Sequence, residues 1–189
     1  MKSSIRFRVL AALALTLVGG AGEALAGGTP IALRNVRELV YGYEALLQVN
    51  QNDPDLRAVY RGVVDRLPLS GAVSEFTSPM LLAATELGGA YCGKAVDRDA
   101  KLPVFERVLF NGVYFDRGPG QFGAHQQREL LDAFARIFWV RSMALEEEKA
   151  LLPTFQTWIT GHENDVTYTP IVMKELCTTF ATSLPFLVK

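Results

Sequence analysis

Two cysteines, Cys92 and Cys177, and two histidines, His125 and His162, are the residues of this chain best suited to redox or metal chemistry. Their spacing removes most of those possibilities. The cysteines are not a C-x-x-C pair, and neither has a histidine nearby in sequence to lower its pKa, so a redox-active dithiol is not expected. No C-x-x-C-H segment exists to attach a c-type haem. His162-Glu163-Asn164-Asp165 places metal-capable atoms together, but no second histidine stands at the H-E-x-x-H spacing. It reads as a polar loop, and His125 as a surface or capping residue near a helix start. Metal ligands are therefore expected nowhere.

Catalytic constellations fare no better. A G-x-S-x-G elbow is missing, and Ser70 and Ser74 with Glu75 cannot be assembled into a triad with either histidine. Gly118-Pro119-Gly120-Gln121-Phe122-Gly123 matches G-x-G-x-x-G literally. A dinucleotide site also needs a βαβ unit and an acidic residue about 20 positions further on. Here the surroundings read as helical, and residues 136–140 hold no acid at that place. The segment reads as a connecting loop. No cofactor and no enzymatic activity are expected.

The aromatic residues offer a different chemistry. Phe105, Phe110, Tyr114, Phe115 and Phe122 crowd an irregular stretch, and Phe134, Phe138 and Trp139 follow on a helix. Such a set could line an apolar pocket for a lipid, a quinone or non-covalently held haem. It could equally form a surface for a partner helix, or fill the core under a long loop, as aromatic rings ordinarily do.

The beginning of the chain points to export. Lys2, Arg6 and Arg8 precede an apolar run over residues 9–18, and Ala24-Leu25-Ala26 supplies a small-x-small site before Gly27. The run is about half of the roughly 20 residues that span a bilayer, so a cleaved signal over residues 1–26 is expected rather than an anchor. No cysteine follows it to carry a lipid. Cleavage would remove 26 of 189 residues, three of 19 basic and one of 20 acidic residues, leaving a formal charge of −3 over residues 27–189. That balance gives no footprint for nucleic acid or an anionic membrane surface. A periplasmic or secreted protein with no stable membrane span is expected. In an oxidising compartment Cys92 and Cys177, both on apolar helix faces, are expected to form a disulfide, with two buried thiols as the alternative.

Helix starts are legible. Thr29-Pro30, Asp53-Pro54, Ser78-Pro79 and Thr169-Pro170 each put a capping side chain before a proline, which loses nothing by lacking an N–H at the first helical position. The pattern predicts a helix from about 31 to 49 with Val36, Leu39, Val40, Tyr43 and Leu47 inward. A second follows from about 55 to 67, burying Leu56, Val59, Tyr60 and Val63. A third, about 79 to 97, is rich in small residues, with Leu81, Ala84, Gly88, Tyr91, Cys92 and Ala95 on one face; its glycines suggest close approach by another helix. Residues 102–123 fit short helix or short strand, with Phe105, Val108, Leu109, Val113, Tyr114 and Phe115 largely buried. Helical spacing returns from about 130 to 152, Pro153 interrupts it, and residues 154–160 add a short helix. A last helix runs from 170 towards 185. The fold class is all-α: a single helical domain over residues 27–189, of about five to six helices.

Leu67-Pro68, the segment Ala84-Thr85-Glu86-Leu87-Gly88-Gly89-Ala90-Tyr91-Cys92, and Leu176-Cys177-Thr178-Thr179-Phe180-Ala181 carry a resemblance. They are similar to a helical region of uncharacterised exported bacterial proteins, some of which also carry a LamG-type lectin domain. In those, an L-A-x-x-Y-C helix and a C-terminal C-x-x-x-x-G-S helix recur. The resemblance covers about residues 31–189. This chain departs from it with Ser183-Leu184-Pro185 near its end, and it leaves no room for a lectin domain. The resemblance implies a bacterial envelope protein with paired cysteines and assigns no activity. The expectation is a non-catalytic protein acting on a protein partner in the envelope, the alternative a carrier using the aromatic cluster.

Overall fold

Local hydrogen bonding starts each helix of the computed structural model, which describes residues 33–69 and 77–188. Helix α1 (Val36–Leu47) opens on Asn35, whose side chain accepts from the Glu38 N–H at 3.0 Å while Glu38 accepts from the Asn35 N–H at 2.9 Å. This reciprocal box satisfies two otherwise orphaned donors. The start therefore lies at Asn35 and not at residue 31; Leu33 instead forms an isolated antiparallel bridge with Val188. Thr29-Pro30 and the export segment lie outside the described residues. Helix α2 (Pro54–Val63) is capped by Asp53 as expected and continues as a 3-10 turn, Val64–Arg66. Helix α3 (Ser78–Asp99) is capped one residue earlier than expected, by the Thr77 hydroxyl.

Helices α4 (Ala124–Trp139) and α5 (Leu145–Ile159) correct the expected single helix from 130 to 152. The chain turns at Val140, which takes a left-handed conformation with φ 57°. That geometry is costly for a β-branched residue. The Met143 N–H bonded to Asp132 at 2.9 Å and the paired Arg141–Glu147 contacts at 2.8 and 2.6 Å hold the turn. Pro153 lies inside α5 on its exposed face, where water can satisfy the carbonyl one turn back. Helix α6 (Thr169–Ala181) and the short α7 (Leu184–Leu187) complete the chain. Thr169 is the first residue of α6 and not its cap; its hydroxyl donates to the Arg117 carbonyl at 2.6 Å.

The result is all-α, with six helices of ten residues or more and no strand among the described residues. The central α3 packs on α6 along its length and also against α1 and α2, while α4 and α5 cover the other side of α6. The small residues of α3 make this possible. A β-carbon at Gly88 would stand 2.9 Å from Thr182 Cγ2 and 3.1 Å from the Tyr43 oxygen. Its absence lets Tyr43, fully buried, donate to the Ala181 carbonyl at 2.9 Å and tie α1 to the end of α6. Cys92 and Cys177 form a disulfide between α3 and α6, with Cα atoms 5.7 Å apart and both side chains fully buried. The buried stripe of α1 is the expected one, Val36, Leu39, Val40, Tyr43 and Leu47. In α2 only Leu56 and Val63 are fully buried, Val59 and Tyr60 lying half-exposed.

Candidate functional site

The aromatic residues divide into two populations. Phe110, Phe122, Phe134 and Phe138 are buried. Phe134 sits at the centre, its ring centroid 5.7 Å from those of Phe110 and Phe180 and 6.0 Å from that of Phe138. Phe138 passes the contact on to Phe186, which stacks on Tyr43 at 5.3 Å. Phe122 meets Phe155. These rings are core. Trp139 is half-buried against Phe180 at 4.7 Å, and its indole N–H donates to the Ser183 hydroxyl at 2.6 Å.

The irregular segment corrects the sequence expectation. Leu109, Phe110 and Val113 are buried, and Phe115 is half-buried. Phe105 is 81% exposed and Tyr114 44% exposed, with Val108 also at the surface. The segment is neither regular helix nor strand, containing the short 3-10 turns Val104–Glu106 and Pro119–Gln121, so its side chains do not share one face. It runs over the surface as a strap that sends Phe110 and Val113 inward and turns Phe105 out.

A groove of about 460 Å³ lies beside the strap, lined by Ala100, Pro103, Val104, Arg107, Tyr114, Phe115, Asp116 and Pro170. Its walls are the strap on one side and the ends of α3 and α6 on the other. Arg107 braces the strap from within: its guanidinium donates to the Leu102 carbonyl at 3.0 Å and to the Val113 carbonyl, and lies 5.1 Å from the Phe115 ring centroid. Arg117 covers Tyr114 at 4.5 Å. The groove thus offers apolar walls with cations held against aromatic faces. A small apolar pocket beside α1, lined among others by Leu39, Leu67 and Leu187, holds only about 10 Å³, room for about one water.

Asp99, the last residue of α3, positions the strap. Its carboxylate is fully buried and accepts the Leu109 N–H at 2.9 Å, the Phe110 N–H at 3.1 Å and Arg98 Nε at 2.8 Å. Arg98 also donates to the Leu47 and Gln48 carbonyls at 2.6 and 2.9 Å, joining the end of α1 to the same point. The sequence carried a signal for this pair. An acid at a helix C-terminus opposes the helix dipole, so Asp99 needs a compensating set of donors.

Ser70, Ser74 and Glu75 lie outside the described residues; the other candidates have structural roles. Glycines 118 and 120 let the turn Pro119–Gln121 dock on the backbone of the His162 loop. The Gly120 N–H donates to the Glu163 carbonyl at 2.9 Å, and a β-carbon at Gly120 would lie 2.8 Å from that oxygen. His162 stacks on Tyr168 with centroids 3.6 Å apart. His125 is exposed in the first turn of α4, beside Glu129. Among the described residues no group of three or more His, Cys, Asp or Glu could hold a metal, and no helix is long and apolar enough to cross a membrane.

Glu175 on α6 is half-buried, and loss of water raises its carboxyl above the usual value of 4.5, with Lys174 opposing the shift. A raised folded-state pKa means the folded chain binds the proton more tightly than the unfolded one. The stabilisation is complete below the unfolded value and is lost as pH rises through the folded one. Glu175→Gln is therefore expected to raise the melting temperature at pH 7 and to converge on the parent near pH 4. Thermal melts across that range check it; equal melting temperatures at pH 7 would sink the idea.

Comparisons with family models, with curated proteins and with solved structures find no match to this chain.

Proposed function

We propose that this is an exported bacterial envelope protein, non-catalytic, that acts by docking a protein partner on the strap and groove. The observation that carries the reading is Phe105: a large apolar ring 81% exposed, on a segment held in place by a fully buried carboxylate, beside an apolar groove. Aromatic anchors held at a preformed surface are what partner recognition uses. Residues 1–26 act as the cleaved signal and place the protein in the periplasm or outside the cell. The buried disulfide supports an oxidising compartment, and the resemblance of residues 84–92 and 176–181 to exported bacterial proteins supports the same placement.

The groove favours a second reading, since about 460 Å³ falls within the range of small-molecule sites. On that reading the protein carries an apolar molecule such as a lipid, a quinone or non-covalent haem. The packed positions of Phe110, Phe122, Phe134 and Phe138 count against a ligand inside the domain and leave the open groove as its place.

Native mass spectrometry of tagged protein purified gently from its host's envelope separates the two. A stoichiometric second protein, retained by the parent and lost from Phe105→Ser, is the expected result. A monomer carrying extra small-molecule mass would transfer the proposal to the carrier reading. A bare monomer, or a partner indifferent to Phe105→Ser, would overturn the docking surface.

A further inference from the structure

Among the described residues, every backbone–backbone hydrogen bond made by residues 102–117 stays within the strap or returns to its root at Asp99. Three side chains outside the strap hold it by hydrogen bonds: the Asp99 carboxylate accepts from the Leu109 and Phe110 N–H groups, the Thr169 hydroxyl donates to the Arg117 carbonyl, and the Gln121 amide, in the following turn, accepts from the Tyr114 N–H and donates to the Tyr114 and Arg117 carbonyls. Beneath it, Phe110 and Val113 are fully buried, with Phe110 against Phe134. By contrast α3 and α6, which carry Asp99 and Thr169, are long helices joined by a disulfide.

Segments with few hydrogen bonds to the rest of a fold open at lower free energy than the helices beneath them. We propose that residues 102–117 open as a unit while the helices stay folded, and that Asp99 is the latch that sets the closed position. The consequence falls on the groove. Val104, Arg107, Tyr114 and Phe115 belong to the strap, whereas Ala100 and Pro170 stand at the end of α3 and the start of α6. One wall therefore moves and the other is fixed, so the latch governs the width of the groove and the position of Phe105. Arg107 moves with the strap, because its carbonyl partners, Leu102 and Val113, lie within it. That this opening serves docking rests on the function proposed above.

Amide hydrogen exchange on the exported chain, disulfide intact, tests the latch without a partner, so it can fail while the docking reading stands, and the reverse. Under native conditions the amides of Leu109, Phe110 and Val113 are expected to exchange at least about tenfold faster than those of Cys92 and Cys177, the signature of sub-global opening. Asp99→Asn is expected to widen that gap by about another tenfold, leaving the two cysteine amides unchanged; an effect of this size is what weakening a charge-assisted bond implies. Equal rates for strap and helices in the parent would overturn the independent unit. No acceleration in Asp99→Asn, or equal acceleration everywhere, would overturn the latch. If Asp99→Asn does not fold, Thr169→Val combined with Gln121→Ala removes the ties at the far end, and faster exchange at Arg117 with unchanged cysteine amides is the expected result; unchanged exchange at Arg117 overturns the proposal.

Discussion

Opening the Cys92–Cys177 bridge is expected to lower the unfolding free energy by about 4 kcal/mol, because the bond closes a long loop in the unfolded chain. The sequence separation is 85 residues. Loop-closure cost grows only with the logarithm of loop length, so the estimate is insensitive to where helices fray. The bridge joins the two helices with the most extensive mutual packing, and both sulfurs are fully buried. Reductant should therefore reach them only through larger openings of the fold, and native protein should resist reduction that denatured protein does not. Urea unfolding of oxidised and reduced protein, with the same atoms in both apart from the two added hydrogens, isolates the effect from side-chain loss. Cys92→Ala/Cys177→Ala should cost somewhat more, since it also leaves unfilled volume in a tight seam. A difference below about 1 kcal/mol between oxidised and reduced protein would show that the α3–α6 packing makes the bridge redundant.

How much of this was legible beforehand depended on whether a residue's behaviour is set by near neighbours in sequence. The buried stripe of α1 follows from spacing, and the Asp53-Pro54 start follows from capping chemistry, both local matters. The disulfide was legible because both cysteines fall on apolar faces of recognisable helices. The break between α4 and α5 was not. Residues 139–144 contain neither glycine nor proline, and the turn depends on Val140 accepting a left-handed backbone while Asp132 and Glu147, distant in sequence, bind its far side. Burial along the strap was also illegible. A 3.6- or two-residue period tells which side chains share a face, and residues 102–117 have neither period. What points Phe110 inward and Phe105 outward is a carboxylate on α3 gripping two amides ten and eleven residues later.

That division of the aromatics sets the second large effect. Phe134→Ala is expected to cost about 3–5 kcal/mol, the range for truncating a buried aromatic ring. Its ring touches Phe110, Phe138 and Phe180, so the vacancy opens where the strap, α4 and α6 meet, and no single neighbour can fill it without losing its own contacts. Phe105→Ala removes a ring of the same size from the strap and should change stability by less than about 0.5 kcal/mol, because that ring already faces water. Equilibrium unfolding of the two variants measures both numbers. Comparable losses would mean that Phe105 packs in solution and that the exposed anchor does not exist. The predicted contrast has a functional edge. A protein keeps a ring that contributes nothing to its own stability only at some cost in solubility, and a partner that buries the ring is the natural compensation. On the docking function proposed above, partner capture should be lost in Phe105→Ala, whose fold is expected to be intact. In Phe134→Ala it should fall only in proportion to the fraction unfolded, so the two variants exchange rank between the stability and the binding measurement.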